Sequence, residues 1–382
     1  MLIAIDTREL SDPQVGSGAG VSHYIWGIVR ALLKQGQEHT FLIFLDPSIR
    51  KDSIEVLLKD GKYVEIQQIN THQYPFFSNH FLFPQYIKQF HPDIFFAPGG
   101  QIPLGYNGKS VVTIHDLAIF KHASWFKDKC LGKWFSTHIF VPKTLYKATC
   151  LFAVSQATKQ DLQKIFRIPE EKIKVVYPGV NTPISIESTV SEKTYFLCLG
   201  TLEPRKNFIL AVQAFDRLLK KYPELEGSLR LIIAGKRGWK YKELLQTIDT
   251  VNKKYTNQKD CVIQELGYIS FEKKWSLLKN AIGFIFPSFY EGFGLPVLEA
   301  MSLGVPVITT NNGALKEVGQ DAVIYVSGED IDELAKAMQD LLVNQELRES
   351  LSALGKKQSE KFSWQQSAEV LLFEFKRIYN QD

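Results

Sequence analysis

The chain has 382 residues, 45% of them hydrophobic and 23% charged, with a formal net charge of +4. This is the composition of an ordinary folded protein with ample apolar material for a core, and the length predicts about two domains. So small a positive excess gives no ground for a nucleic-acid partner, and nothing in the chain has the composition of a disordered tail. No apolar run approaches the roughly 18 residues needed to cross a bilayer. The amino terminus, Met-Leu-Ile-Ala-Ile-Asp, reads as a strand with no basic leader and no cleavage site. Cys130, Cys150, Cys198 and Cys261 are scattered and form no Cys-x-x-Cys pair, which suits buried free thiols in a reducing compartment. The expectation is a cytoplasmic protein able to touch a membrane without crossing it.

In chain order, the apolar run at 2–5 predicts a first strand. The loop Gly16-Ser-Gly-Ala-Gly20 follows, then a helix on which Val21, Tyr24, Ile25, Ile28, Ala31 and Leu32 recur at helical spacing. Glycines before a helix N-terminus suit an anion, although this loop does not match Gly-x-Gly-x-x-Gly and a glycine turn is as readily structural. Further strands are predicted at 40–45, 93–97, 110–114 and 149–154. His115-Asp116 closes the strand at 110–114; such a histidine serves a core and a site equally well. Residues 177–181 (Tyr-Pro-Gly-Val-Asn) and the polar stretch 182–193 predict an interdomain linker. A second series of strands follows at 194–200, 229–234, 261–265, 281–286, 305–309 and 322–326, alternating with helices. The predicted fold class is α/β, with two doubly wound Rossmann-like domains, 1–181 and 182–363, their ligand loops at the carboxyl ends of the strands and facing a central cleft. A last helix near 364–379 is expected to return, so that 364–382 packs on the first domain.

Two loops of the second domain carry the chemistry. Gly200-Thr-Leu-Glu-Pro-Arg-Lys-Asn207 links a strand to a helix bearing Phe208, Ala211, Val212, Phe215, Leu218 and Leu219 on one face. Asn207 is expected to cap that helix, which puts Arg205 and Lys206 at its mouth, where two cations suit a diphosphate. Glu291 and Glu299 stand eight positions apart in Glu-Gly-Phe-Gly-Leu-Pro-Val-Leu-Glu. Gly292, Gly294 and Pro296 forbid a continuous helix between them. Glu291 is therefore expected on a strand-end loop and Glu299 in the first turn of the next helix, one on either side of a phosphate site. A carboxylate in a first helical turn is commonly structural, because the helix dipole favours it; the full string is more specific than either glutamate.

These segments resemble the GT-B nucleotide-sugar glycosyltransferases of glycosyltransferase family 4, a retaining family, nearly end to end. The resemblance rests on 18–21 (Gly-Ala-Gly-Val), 113–117 (Thr-Ile-His-Asp-Leu), 153–162, 177–181, 200–207, 267–269 (Gly-Tyr-Ile) and the string holding both glutamates. It implies that Glu299 holds the ribose hydroxyls and that Arg205 and Lys206 neutralise the departing diphosphate. It implies that Glu291, with the backbone of Phe293, Gly294 and Leu295, grips the donor sugar beside Gly200. By the same resemblance Gly18 and Gly20 let the first domain approach the phosphates, Tyr268 and Ile269 contact the base, and His115 lies near the reacting face of the sugar. Ala19-Gly20 departs from the Gly-Gly of many relatives.

Such a site predicts metal-independent transfer, since two side-chain cations compensate the leaving charge. The single Asp-x-Asp, Asp330-Ile-Asp332, reads as a helix cap and not as a metal motif. No cofactor is expected beyond the donor, with GDP-mannose favoured over a UDP-sugar by the lean towards bacterial mannosyltransferases. For the acceptor, a glycan or lipid-linked glycan is expected. Between 120 and 147, Trp125, Phe126, Trp134, Phe135 and Phe140 interleave with Lys121, Lys127, Lys129, Lys133 and Lys143, a pattern that suits an anionic membrane surface or equally a packed helix pair with a solvated face. A same-fold phosphorylase, a sugar-nucleotide epimerase and a non-catalytic sugar-nucleotide-binding scaffold are the alternatives.

Overall fold

The computed structural model describes residues 1–11, 20–70, 75–126, 136–183, 185–186, 194–255 and 261–381. They form two units, one of Met1–Gly179 with Phe362–Asp382, the other of Val180–Lys361. In the first unit, β1 (Leu2–Asp6), β2 (Thr40–Leu45), β3 (Val64–Gln68), β4 (Ile94–Ala97), β5 (Ser110–Ile114), β6 (Cys150–Ala153) and β7 (Ile173–Val175) make a parallel sheet in the order β3-β2-β1-β4-β5-β6-β7. In the second, β8 (Thr194–Leu199), β9 (Leu229–Ala234), β10 (Ile263–Glu265), β11 (Gly283–Phe286), β12 (Val307–Thr309) and β13 (Ile324–Tyr325) run parallel in the order β10-β9-β8-β11-β12-β13. Each order reverses beside its first strand. That reversal opens a crevice at the carboxyl ends of β1 and β4 in one sheet and of β8 and β11 in the other, where doubly wound folds bind ligands.

The central strands read as near-continuous apolar runs because helices cover both faces. β4, β5, β6 and β11 are buried at every position. Sequence reasoning missed β3 and β7, and both are edge strands. β3 alternates polar and apolar residues with none fully buried, and β7 has only three residues; an edge covered on fewer sides needs less apolar sequence.

The helix Gly20–Gln35 buries Tyr24, Ile25, Ile28 and Leu32. Its other neighbour is the last helix, Trp364–Tyr379, whose Trp364 ring lies against Gly27 and 5.5 Å from the Tyr24 ring. Ser367 of that helix donates to the Tyr177 carbonyl, tying the end of the chain to the first unit. In the second unit, Phe196, Leu231, Ile285, Phe215 and Met338 belong to one core between sheet and helices. Cys150 and Cys198 are buried free thiols and Cys261 is an exposed one, while Cys130 lies outside the described residues. Among the described residues no helix is long and apolar enough to cross a membrane.

Candidate active site

The loops after β8 and β11 meet at the crevice of the second sheet. From the first come Glu203, Arg205 and Lys206, carried on a short turn of 3-10 helix, Pro204–Lys206. From the second come Ser288 and Glu291. Glu291 is buried, and each of its oxygens is claimed. Oε1 accepts from Lys206 Nζ at 2.7 Å and from Ser288 Oγ at 2.6 Å, and Oε2 accepts from Arg205 Nη1 at 2.9 Å. Arg205 also donates to the Tyr290 carbonyl through Nη1 and to Glu203 Oε1 through Nε, both at 2.9 Å. Lys206 is buried too, with Nζ 4.8 Å from the centre of the Phe286 ring.

Burial opposes ionisation of Glu291, but Arg205, Lys206 and the Ser288 hydroxyl together outweigh it and hold the carboxyl down at about 2. For Lys206 the balance falls the other way: burial lowers it, although Glu291 pulls upward. Burial likewise raises Glu203 against the pull of Arg205. A carboxylate offers about four acceptor positions, so Glu291 keeps capacity for about one further hydrogen bond.

Gly313 makes room for this arrangement. A Cβ there would stand 2.4 Å from the Glu291 carbonyl oxygen, and its φ of +60° is one that L side chains rarely adopt. The backbone of Glu291 is fixed from the same side by the Ala314 N–H, which donates to its carbonyl at 3.0 Å.

Two expectations need correction. Asn207 does not cap the helix Phe208–Lys221: its φ is +55°, outside the extended region from which a cap side chain reaches N2 or N3. Its amide donates instead to the carbonyls of Pro287 and Gly328, at 3.2 and 2.8 Å, and so ties the two loops together. Glu299 is not in a first turn. The helix runs Leu295–Ser302 with no acidic residue in its first turn, and Glu299 is its fifth residue. Its charge is met by Lys274, whose Nζ lies 2.6 Å from Oε1, rather than by the helix dipole. Sequence reasoning missed Lys274, Ser288 and Glu203 as partners; the first lies on another helix, and the other two gain meaning only from the loop crossing.

Pro296 takes a position in the first helical turn, where no N–H is needed, and Leu295 before it has an N–H that no residue of its own helix can accept. Phe293 is buried. Gly200 stands at the end of β8 and Gly267 at the end of β10, the latter's carbonyl accepting from Gly235 N–H at 2.8 Å. Beyond it Tyr268 is 48% exposed and Ile269 is half-buried. Asp330 caps the helix Ile331–Val343 by accepting from Glu333 N–H at 2.9 Å.

In the first unit, His115 follows β5. Its Nε2 lies 2.7 Å from the Pro98 carbonyl and its ring stands edge-on to Tyr24 at 4.8 Å. A carbonyl only accepts, so Nε2 carries the proton; burial lowers the pKa, and the neutral ring keeps Nδ1 as an acceptor. Gly20 is exposed, with no described residue within 4 Å of where a Cβ would stand. Gly18 lies outside the described residues, as do Lys127, Lys129, Lys133, Trp134 and Phe135. Of the rest of that stretch, Phe120 packs edge-on to Phe166 at 4.9 Å and Lys121 pairs with Asp161 at 2.9 Å.

Residues 183–358 match the family described as Glycosyl transferases group 1, and residues 18–183 match Glycosyltransferase Family 4. The O-antigen chain mannosyltransferase B of Escherichia coli is 31% identical over 271 residues, 67% of this chain and 67% of that protein. The chain belongs to glycosyltransferase family 4. The serotype-specific mannosyltransferase WbdA of Escherichia coli is 26% identical over 71% of this glycosyltransferase, a match that spans only 34% of WbdA. Among solved structures, the sucrose-phosphate synthase of Thermosynechococcus elongatus superposes on the glycosyltransferase with a TM-score of 0.75 at 17% identity, covering 100% of both chains. The fold is thus the GT-B α/β architecture, with two parallel-sheet Rossmann-like domains.

Proposed function

We propose that this glycosyltransferase moves a mannosyl residue from a nucleotide-diphosphate sugar, GDP-mannose in preference to a UDP-sugar, to a glycan or lipid-linked glycan, with retention and without a metal. The observation that carries the reading is the buried Arg205–Lys206 pair, locked on Glu291 at a strand-order reversal. Charge grows on the diphosphate as the glycosidic bond breaks, and cations already in place need not reorganise to meet it. They supply the compensation that a divalent ion supplies elsewhere. Glu291 keeps both cations charged and aimed, and its remaining acceptor position suits a donor-sugar hydroxyl. Glu299 Oε2 suits the ribose, and the His115 Nδ1 lone pair suits a sugar hydroxyl. Mannose is favoured by the two relatives that are mannosyltransferases by name.

Incubation with a panel of sugar nucleotides, with and without acceptor glycans and in the presence of EDTA, tests the reading. Acceptor-dependent release of GDP from GDP-mannose, with an α-linked product by NMR, is the expected result. Transfer only from UDP-sugars refutes the donor, an inverted product refutes retention, and EDTA-sensitive turnover refutes metal independence. A phosphorylase would need inorganic phosphate, an epimerase would convert donor without acceptor, and a scaffold would do neither.

A membrane-borne acceptor is supported by exposed Phe76, Phe77, Phe81 and Leu82 in the first unit. Phe77 stacks on Phe81 at 5.5 Å, and Phe76 meets Phe140 at 5.3 Å, one turn ahead of exposed Lys143. Aromatic rings beside lysines suit an anionic lipid interface. Co-sedimentation with anionic vesicles, lost in a Phe76→Ser, Phe77→Ser, Phe81→Ser variant, is the expected outcome; no sedimentation of the wild type removes the membrane.

A further inference from the structure

The first unit has its own crevice at the reversal of strand order. A cavity of about 250 Å³ opens there at the carboxyl ends of β1, β2 and β4, lined by Asp6, Arg8, Glu9, Asp46, His80 and Gln101 among others. Arg8 is the single cation among the described lining residues, and it is spent. Its Nε and Nη2 donate to the two oxygens of Asp6 at 2.8 and 2.7 Å, its Nη1 donates to Asn79 Oδ1 at 2.5 Å, and its guanidinium lies 3.6 Å over the Phe83 ring. Its charge is met by Asp6. His80 adds no charge, because burial and then Arg8 hold its pKa down.

Two further carboxylates line the cavity. Asp46 accepts from the Ser48 N–H at 2.9 Å and the Ser48 hydroxyl at 2.5 Å, which fixes its orientation. Glu9 has no hydrogen-bond partner among the described residues, and its carboxylate rests on the Gly99 backbone so closely that a Cβ there would stand 2.7 Å from it. Glu9 is exposed, and partial loss of water around its carboxyl, with Asp6 adding to it, raises that carboxyl to about 7 against the pull of Arg8. A carboxyl poised there can accept from one hydroxyl or donate to another.

We propose that this pocket seats the neutral terminal sugar of the acceptor and rejects a phosphorylated one. The proposal rests on the transfer reading above and adds the acceptor's charge to it. Carboxylates, an amide and an uncharged imidazole are partners for hydroxyl groups. A phosphate would meet the Glu9 carboxyl with Arg8, already paired to Asp6, as the single cation among the described lining residues, and phosphate sites are built from free arginines, lysines or backbone N–H groups.

The test is an NMR titration of the full chain, with GDP or UDP present, using methyl α-mannoside, methyl α-glucoside and methyl N-acetyl-α-glucosaminide, each with its 6-phosphate. At least one neutral glycoside is expected to bind at millimolar concentration, with its phosphate at least tenfold weaker. Glu9→Gln is expected to weaken the neutral glycoside severalfold, and Glu9→Lys to erase or reverse the discrimination. Each variant is checked for fold by the thermal shift that the nucleotide produces. Failure of every neutral glycoside, equal or tighter binding of a phosphate, or indifference to Glu9→Gln overturns the proposal. If neither nucleotide raises the melting temperature, the transfer reading itself fails; if one does and the glycosides behave as in the overturning outcomes, only the pocket is reassigned.

Discussion

Lys206 Nζ lies 2.7 Å from Glu291 Oε1, and both side chains are buried in loops that are 85 positions apart in sequence. Such a pair adds little net stability, since desolvation consumes most of the attraction, but breaking it leaves a buried charge without a partner. Glu291→Ala should therefore cost about 3–5 kcal/mol by urea denaturation. The double variant Glu291→Leu with Lys206→Met should recover much of that loss while remaining inactive. A Glu291→Ala protein of wild-type stability would show that the pair is solvated in solution.

Arg205→Ala and Lys206→Ala should each lower kcat/KM by about 2–4 kcal/mol of transition-state stabilisation. The loss should fall mainly on kcat, because the leaving charge is absent from the ground state. Steady-state kinetics with the correct donor check this, and near-wild-type turnover in both variants would remove the cations from the mechanism.

Acid stability should depend on Glu291. Its carboxyl is lowered from 4.5 to about 2 in the folded protein. A depressed carboxylate contributes fully above its unfolded pKa and loses that contribution as pH falls through the folded value. Stability should decline from about pH 4.5 towards pH 2 as this proton is taken up, and Glu291→Gln should show a shallower decline over that window. Urea midpoints at stepped pH measure it.

Gly313→Ala should be destabilising by at least about 1 kcal/mol from its positive φ alone, with a further cost from the Glu291 carbonyl 2.4 Å away. Displacing that backbone should also reduce turnover. Gly20→Ala, where no described residue stands within 4 Å, should leave the melting temperature nearly unchanged, and differential scanning calorimetry of the two variants compares them.

Removing the Trp364 ring should loosen the first unit. The ring is 7% exposed and packs on Tyr24 and Gly27, so Trp364→Ala should cost about 3–5 kcal/mol. Limited proteolysis should then cut near residue 362 before the second unit is attacked.

The strands most legible in the sequence are those buried on both faces: β4 and β11 are apolar runs, and a run between glycine and proline signals is readable without neighbours. β3 and β7 escaped because the one alternates polar and apolar residues with none fully buried and the other has only three residues. Arg205, Lys206, Glu291 and Glu299 were legible as a set because their spacing within each loop is local, and local spacing survives folding.

What sequence alone determined is the α/β class, the family and the two loops of polar residues, since hydrophobic periodicity and short motifs are properties of neighbouring positions. What only the tertiary structure decided is how those charges are spent. Asn207 ties loops instead of capping a helix, Lys274 neutralises Glu299, and Arg8 is paired with Asp6 and bonded to Asn79. Each of these depends on which atoms come within about 3 Å, and sheet order and loop crossing set those distances, not separation along the chain.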